Sequence, residues 1–233
     1  KKMTKILCTI CMRGGSKGVP NKNTKLINSK PLLFYTLDQA IKSKIFSKVV
    51  ISSDSEKILK ISKKYGADYC LKRPNSLSRD TSAKLPVVRH ALISAERYFK
   101  TNFDIIFDLD ATSPLRNIKD IQNTLKQFLD EKSNNLITAT EANKNPFFNQ
   151  IMYKRNKYNV VLSGKSIPKR RQDAPKVYDM NASIYIWKRN FLIKSNSIFT
   201  SKTSLYLMPP ERSCDIDTKL DFDFVRYMLS KKP

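Results

Sequence analysis

Between Ile6 and Thr140, short apolar, β-branched runs alternate with helix-like stretches, and this alternation restricts the possible folds more than any other feature. Ile6 to Cys11 is the first run, broken by Arg13-Gly14-Gly15-Ser16-Lys17-Gly18. A helix-like stretch from about Leu32 to Lys44 leads to Lys48-Val49-Val50-Ile51-Ser52-Ser53, and a second helix pattern follows Asp54 as far as Tyr65. Within it, Ile58, Leu59, Ile61 and Ser62 share one narrow face. Ala67 to Leu71, a polar loop to about Ser82, a helix from Pro86 to Phe99, a strand from Phe103 to Leu109, a helix over Asn117 to Leu129 and a strand over Asn135 to Thr140 complete the series. Repeated β-α units predict an α/β fold, a mostly parallel sheet with helices on both faces, in one domain over 1–233. Ligands then belong at the carboxyl ends of the strands.

From about Asn143 the pattern changes. Phe147 to Tyr153 and Tyr158 to Leu162, around a turn rich in Lys and Asn, read as a hairpin, and a polar arm with Lys169-Arg170-Arg171 follows. No helix returns this stretch to the sheet, so 143–182 is expected to be an insertion that embraces a second copy. The core resumes with Ser183-Ile184-Tyr185-Ile186-Trp187, a strand near Ser204 to Met208, and a helix from about Thr218 to Leu229.

The net charge of +24 invites a nucleic-acid reading, but Lys outnumbers Arg 32 to 12 and is scattered along the chain. Nucleic-acid sites tend to cluster Arg with aromatics. A diffuse basic surface instead steers small anions toward a cleft. A basic nucleic-acid-binding module is the non-enzyme alternative, to be separated by the salt dependence of binding. No apolar run approaches the roughly 20 residues that span a bilayer, so a cytoplasmic protein without a membrane partner is expected. The four cysteines form no disulfide framework. Cys8 and Cys11, three apart on a strand, face opposite ways and pack in the core rather than bind zinc. His90 has no sequence neighbour that would give it a catalytic role.

The strongest local signal is Arg13 to Asn23, directly after the first strand. Gly14, Gly15 and Gly18 let backbone N–H groups approach an anion, with Arg13, Lys17 and Lys22 supplying charge. The P-loop and dinucleotide fingerprints are both absent. An ordinary glycine-rich turn is the plain alternative. Next come two acidic pairs, Asp108-Leu109-Asp110 and Asp215-Ile216-Asp217, in which alternate residues of an extended segment present two carboxylates on one face. Such pairs suit Mg²⁺, which takes one or two carboxylates plus substrate phosphates, and they also suit helix caps. Arg73-Pro74, Arg79-Asp80-Thr81-Ser82 and Thr112-Ser113-Pro114-Leu115-Arg116 lie in loops that either hold substrate or, through Ser82 and Ser113, cap the next helix. Asp108-Leu109-Asp110 also fits the D-x-D pattern of nucleotide-sugar glycosyltransferases, a reading that leaves the phosphate loop unexplained.

Five stretches in order resemble the acylneuraminate cytidylyltransferases, which activate nine-carbon acidic sugars. They are Arg13-x-x-Ser16-Lys17-Gly18-x-Pro20-x-Lys22-Asn23, Ile51-Ser52-Ser53-Asp54, Arg73-Pro74 with Asp80-Thr81, Thr112-Ser113-Pro114-Leu115-Arg116, and Asp215-Ile216-Asp217-Thr218 with Leu220-Asp221. The resemblance covers nearly the whole chain. It implies a Rossmann-like, three-layer nucleotide-diphospho-sugar transferase core with a small dimerisation insertion, and hence a homodimer. The implied reaction joins CTP and a free nonulosonic acid to give the CMP-sugar and pyrophosphate. On this resemblance Arg13, Ser16, Lys17 and Lys22 hold the triphosphate, Asn23, Arg73 and Asp80 surround the ribose and cytosine, and Gly14 and Gly15 belong to the same CTP-binding set. Asp215 and Asp217 match metal-binding aspartates for Mg²⁺, and Arg13, Lys22 and Asp217 are the expected catalytic residues.

Asp110, Arg171, Gln172, Asn181 and Tyr185 are the expected sugar-binding residues. Here the chain departs from the sialic acid enzymes, which carry Gln-Pro where Asp110-Ala111 stands. Asp179 replaces an Arg, and Phe148 stands where some of them have a Lys. An ionised carboxylate at 110 accepts hydrogen bonds and donates none. These changes resemble the bacterial subgroup that activates di-N-acetylated, deoxygenated relatives such as legionaminic acid, ahead of pseudaminic acid, sialic acid and Kdo.

Overall fold

The computed structural model describes residues 3–162, 168 and 170–231, except for the side chain of Arg171. In chain order the elements are β1 (Ile6–Cys11), a small hairpin of β2 (Leu26–Ile27) and β3 (Lys30–Pro31), α1 (Leu32–Ser43), β4 (Lys48–Ser53), α2 (Glu56–Lys64), β5 (Tyr69–Lys72), α3 (Lys84–Phe99), β6 (Ile105–Leu109), α4 (Ile118–Asp130) and β7 (Asn135–Glu141). There follow β8 (Ile151–Lys154), β9 (Lys157–Val160), β10 (Tyr178–Lys188), α5 (Arg189–Lys194), β11 (Thr203–Leu207) and α6 (Lys219–Ser230). None of the helices among the described residues is long and apolar enough to cross a membrane.

Seven strands form one sheet in the order β11-β7-β10-β6-β1-β4-β5. Every pairing is parallel except those of β10, which runs against both β6 and β7. The apolar alternation of the strands explains the three layers. Cys8, Ile10, Ile51 and Phe107 point to one face, where Leu37 of α1, Ile58 of α2 and Ile121 and Phe128 of α4 cover them. Leu7, Val50 and Ile106 point to the other, under Val88 and Leu92 of α3 and Leu192 of α5. A strand buried on both faces reads as a continuous apolar run, as β1 does. Cys8 and Cys11 accordingly lie on opposite faces as free thiols, which burial pushes well above their usual range. His90 is half-buried on α3, its pKa lowered by burial and by Arg73.

A third cluster joins α6 to the loop after β1: Val19, Ile27 and Leu32 pack on Ile216, Phe222, Val225 and Leu229. This packing brings the C-terminal acidic pair beside the glycine loop, although about 200 residues separate them in sequence. The sheet also reverses its order at β1, whose neighbours are β4 on one side and β6 on the other. Such a switch point opens a crevice at the carboxyl ends of the strands.

The structure differs from the sequence expectations at several boundaries. Helix α3 starts at Lys84, because Pro86 falls within the first turn, where its missing N–H costs nothing. Neither Ser82 nor Ser113 caps a helix. Ala83 precedes α3 without a side-chain cap bond, and α4 is capped by Asn117 with Asp120 in a reciprocal capping box. Ser82 Oγ instead accepts from the Arg79 N–H, and the buried Ser113 hydroxyl donates to the Asn181 carbonyl. Strand β10 begins at Tyr178 rather than Ser183. Tyr178 to Met180 pair with Glu141 to Ala139, and a register shift at Asn181 and Ala182, with Ala182 at φ 52°, separates them from the Tyr185 to Trp187 pairs. The hairpin β8–β9 is shorter than its apolar pattern, since Asn145 accepts from the Phe147 N–H and draws Phe147 and Phe148 into a turn.

Candidate active site

A cleft of about 470 Å³ lies at the switch point, walled by the loops after β1, β5 and β6 and by the segment before α6. The loop after β1 is laced in place through its backbone. The Gly14 N–H donates to Asp54 Oδ1 (2.8 Å), the Arg13 carbonyl accepts from Asn23 Nδ2 (3.1 Å), and the Met12 carbonyl accepts from Arg73 Nη2 (2.7 Å). These bonds give the Ile51-Ser52-Ser53-Asp54 stretch and Arg73 a role in holding the loop. Two of the glycines differ in what they permit. A Cβ at Gly18 would lie 1.9 Å from the Asp217 carbonyl oxygen, whereas a Cβ at Gly15 would meet nothing within 4 Å. Gly18 is therefore required for the loop to touch the 215–217 segment, and Gly15 leaves open space for a ligand.

Charge is divided across the cleft. On the basic side Arg13 and Lys17 both pair with Asp80, whose carboxyl the Lys17 and Arg13 hydrogen bonds hold below the usual range. Lys22 donates to the Ile216 carbonyl and stands 3.6 Å from Asp217 Oδ1. On the acidic side the Thr112 hydroxyl bridges Asp110 and Asp215. Burial, with Asp110 and Asp217 nearby, raises the Asp215 carboxyl to about 6. Asp217 is exposed and is no helix cap, since Thr218 and Asp221 form the capping box of α6. Asp108 is 1% exposed and bound by Thr9 and by Lys84 Nζ at 2.9 Å, so the first acidic pair is not a free D-x-D site.

The expected nucleotide residues converge: Arg13, Ser16, Lys17, Lys22, Asn23, Arg73 and Asp80 all line the cleft, and Gly14 and Gly15 lie in the same loop. Asp80, expected near the ribose and cytosine, pairs with Arg13 and Lys17 at the cleft wall. Asn23 is buried, and its Oδ1 has no partner among the described residues. Of the expected sugar residues whose side chains are described, only Asp110 lines the cleft. Asn181 is buried behind it with its amide already bonded to Thr138, Ser183 and Ser213. Tyr185 is 6% exposed and stacked on Trp187. Gln172 is exposed on a turn of the arm, and the Arg171 side chain lies outside the described residues. Arg116, in a loop expected to hold substrate, is wholly buried. It donates to the carbonyls of Asp110 and Ser183 and to the hydroxyl of Thr36, bracing the end of β6.

Lys84 is the cleft residue that sequence reasoning missed. Its position did carry a signal: a cation in the first turn of a helix opposes the helix dipole and so calls for a nearby carboxylate. Asp108 and Asp110 provide it. Chemically, the cleft offers cations and open backbone for a polyphosphate at one end and clustered carboxylates at the other.

The cytidylyltransferase family model matches residues 7–226. The CMP-N,N'-diacetyllegionaminic acid synthase of Campylobacter jejuni is 47% identical over 230 residues, covering 99% of this chain and 97% of that protein. The post-translational flagellin modification protein B of Campylobacter coli shows the same identity and coverage. The pseudaminic acid cytidylyltransferase of Campylobacter jejuni is 32% identical over 96% of each chain. Among solved structures, a CMP:2-keto-3-deoxy-manno-octonic acid synthetase complexed with CTP superposes with a TM-score of 0.71 at 15% identity, covering 98% of this chain and 99% of that one.

Proposed function

The chain belongs to the cytidylyltransferase family, and from that premise we propose that it joins CTP to N,N'-diacetyllegionaminic acid, yielding the CMP-sugar and pyrophosphate. The observation that carries the reading is the contact of Gly18 with the Asp217 backbone, which sets Lys22 and the basic loop beside the acidic segment in one cleft. The anomeric hydroxyl of the sugar attacks the α-phosphorus in line and pyrophosphate leaves. Arg13, Lys17 and Lys22 bind phosphate oxygens and stabilise the charge that builds there. The Ser16 hydroxyl and the open backbone at Gly15 complete the cradle. The unpartnered Asn23 Oδ1 is an acceptor suited to an N–H or O–H of the nucleoside. Asp217 stands for the proton of the attacking hydroxyl.

The acidic segment fits a divalent cation. Burial first, and then the charges of Asp110 and Asp217, lift Asp215 to about 6, and a cation beside it offsets both. Among the described residues no three His, Cys, Asp or Glu side chains form a metal cluster, as suits Mg²⁺, which takes few protein ligands and several from phosphate. Asp215 and Asp217 would hold the ion, which when bound supplies charge neutralisation for the triphosphate. A homodimer is part of the same proposal: Ile151, Tyr153 and Tyr158 of the β8–β9 hairpin, and Met180 of β10, are large, exposed apolar side chains that a second copy would cover.

The test is pyrophosphate release with CTP and Mg²⁺ against legionaminic, pseudaminic and sialic acids and Kdo, with ATP, GTP and UTP as nucleotide controls. Release confined to CTP and highest with N,N'-diacetyllegionaminic acid is the expected result. Release with another nucleotide, or only with another sugar, overturns it.

A further inference from the structure

Helix α6 is apolar on two sides. Its inner side, Phe222, Val225 and Leu229, packs on Val19, Ile27 and Leu32. Its outer side carries Leu220, Phe224 and Tyr227, which are 78%, 42% and 58% exposed. None of these three joins an apolar cluster of the described residues. Their spacing, four residues and then three, sets them in one line down the helix, about 10 Å long at roughly 1.5 Å per residue. A surface helix ordinarily keeps one apolar stripe and turns polar residues to water, so a second stripe calls for a second covering surface. Along one flank of that stripe stand Asp223 and Arg226, paired at 2.9 Å and both well exposed.

We propose that this outer face of α6 pairs with the same face of a second copy, antiparallel about a two-fold axis near Phe224. The order of the stripe supports it. Leu220 and Tyr227 lie almost equally far on either side of Phe224, so the rotation sets Phe224 on its counterpart and Leu220 on the partner's Tyr227. The same rotation brings Asp223 toward the partner's Arg226 and Arg226 toward the partner's Asp223. Four charges then alternate in sign beside the apolar seam. A second copy supplies the apolar match and the charge match together, by symmetry; an unrelated partner would have to bring both. Two partly exposed aromatic rings, of about 150–250 Å² each, and one leucine fall short of the roughly 800 Å² per partner of a lone stable interface. The α6 contact therefore joins copies already held together elsewhere. With the β8–β9 hairpin contact proposed above, it makes a particle of four chains.

Sedimentation of the full chain without substrate tests this, with circular dichroism to confirm folding. The wild type should run as four chains and the Leu220→Glu, Phe224→Glu double variant as two, because the inner face of α6 is untouched. Asp223→Arg and Arg226→Glu each set like charges across the axis, and each should raise the dissociation constant of the four-chain particle at least tenfold. An equimolar mixture of those two proteins makes every cross-axis pair opposite in sign and should recover the wild-type mass. If the double variant misfolds, this charge series decides. Equal mass for the wild type and the folded double variant overturns the α6 pairing, as does a charge mixture no heavier than its components. A two-chain wild type that falls to single chains in the double variant upholds the α6 pairing and refutes the hairpin contact instead.

Discussion

Gly18→Ala is the sharpest test of how the site is assembled. The new Cβ would lie 1.9 Å from the Asp217 carbonyl oxygen, and real Cβ atoms essentially never approach closer than 3.0 Å, so one backbone must retreat by about 1.1 Å. Neither side yields easily. The loop is tied through Gly14 to Asp54 and through Met12 to Arg73, and the 215–217 segment is anchored by Ile216, wholly buried in the α6 cluster. Overpacking of this kind costs about 1–3 kcal/mol of stability. The effect on turnover should be larger, because a shift of about 1 Å in reacting groups lowers rates by roughly a hundredfold. Lys22, which stands 3.6 Å from Asp217 and donates to the Ile216 carbonyl, would lose its position in the same movement. The assay is pyrophosphate release under saturating substrates, with a thermal melt to confirm folding. Gly15→Ala is the control: it should leave the melt unchanged and raise the KM for CTP, since its Cβ enters open space. A folded Gly18→Ala protein with wild-type kcat would refute the claim that this contact sets the catalytic geometry.

Lys22→Ala should raise the KM for CTP and lower kcat while leaving the circular dichroism spectrum unchanged, because its ammonium serves the cleft rather than the core; a lost spectrum would mark it as structural. Arg116→Ala should lower stability by about 3 kcal/mol in denaturant titration, since each orphaned buried acceptor costs roughly 1–3 kcal/mol and Arg116 serves several. A negligible shift in midpoint would show that water replaces it. In EDTA, stability should fall as pH rises from about 4 to 6, by something on the order of 1–3 kcal/mol. The unfolded Asp215 carboxyl ionises near 3.8, but the folded one holds its proton to about 6, so the fold binds the extra proton in that window. Asp215→Asn should flatten this slope and melt higher than wild type at pH 7, and parallel curves for the two proteins would contradict the assignment.

What could be read from the sequence depended on how locally each feature is encoded. The continuous apolar runs of β1, β4 and β6 announce strands buried on both faces, because successive residues point to opposite sides of the sheet and both sides are covered. The glycine loop was legible for the same reason, its chemistry lying in consecutive residues. Boundaries governed by tertiary contacts were not. Strand β10 extends back to Tyr178 only because Glu141 to Ala139 are there to pair with it. Asn181 shows the limit most clearly: in sequence it is a polar residue in a loop-like stretch, yet the bulge turns its amide inward to Thr138 and Ser213. Arg116 is the same case in a charged residue, its guanidinium spent on the carbonyls of Asp110, just past β6, and Ser183, within β10. Lys84 is the opposite case, a surface-like lysine at a helix start that the fold places over two aspartates from the next strand. A polar side chain's sequence neighbours do not tell whether it braces the backbone or faces the ligand. That depends on which carbonyls and carboxylates the sheet order brings within 3 Å, and here the antiparallel β10, inserted between β6 and β7, makes the choice.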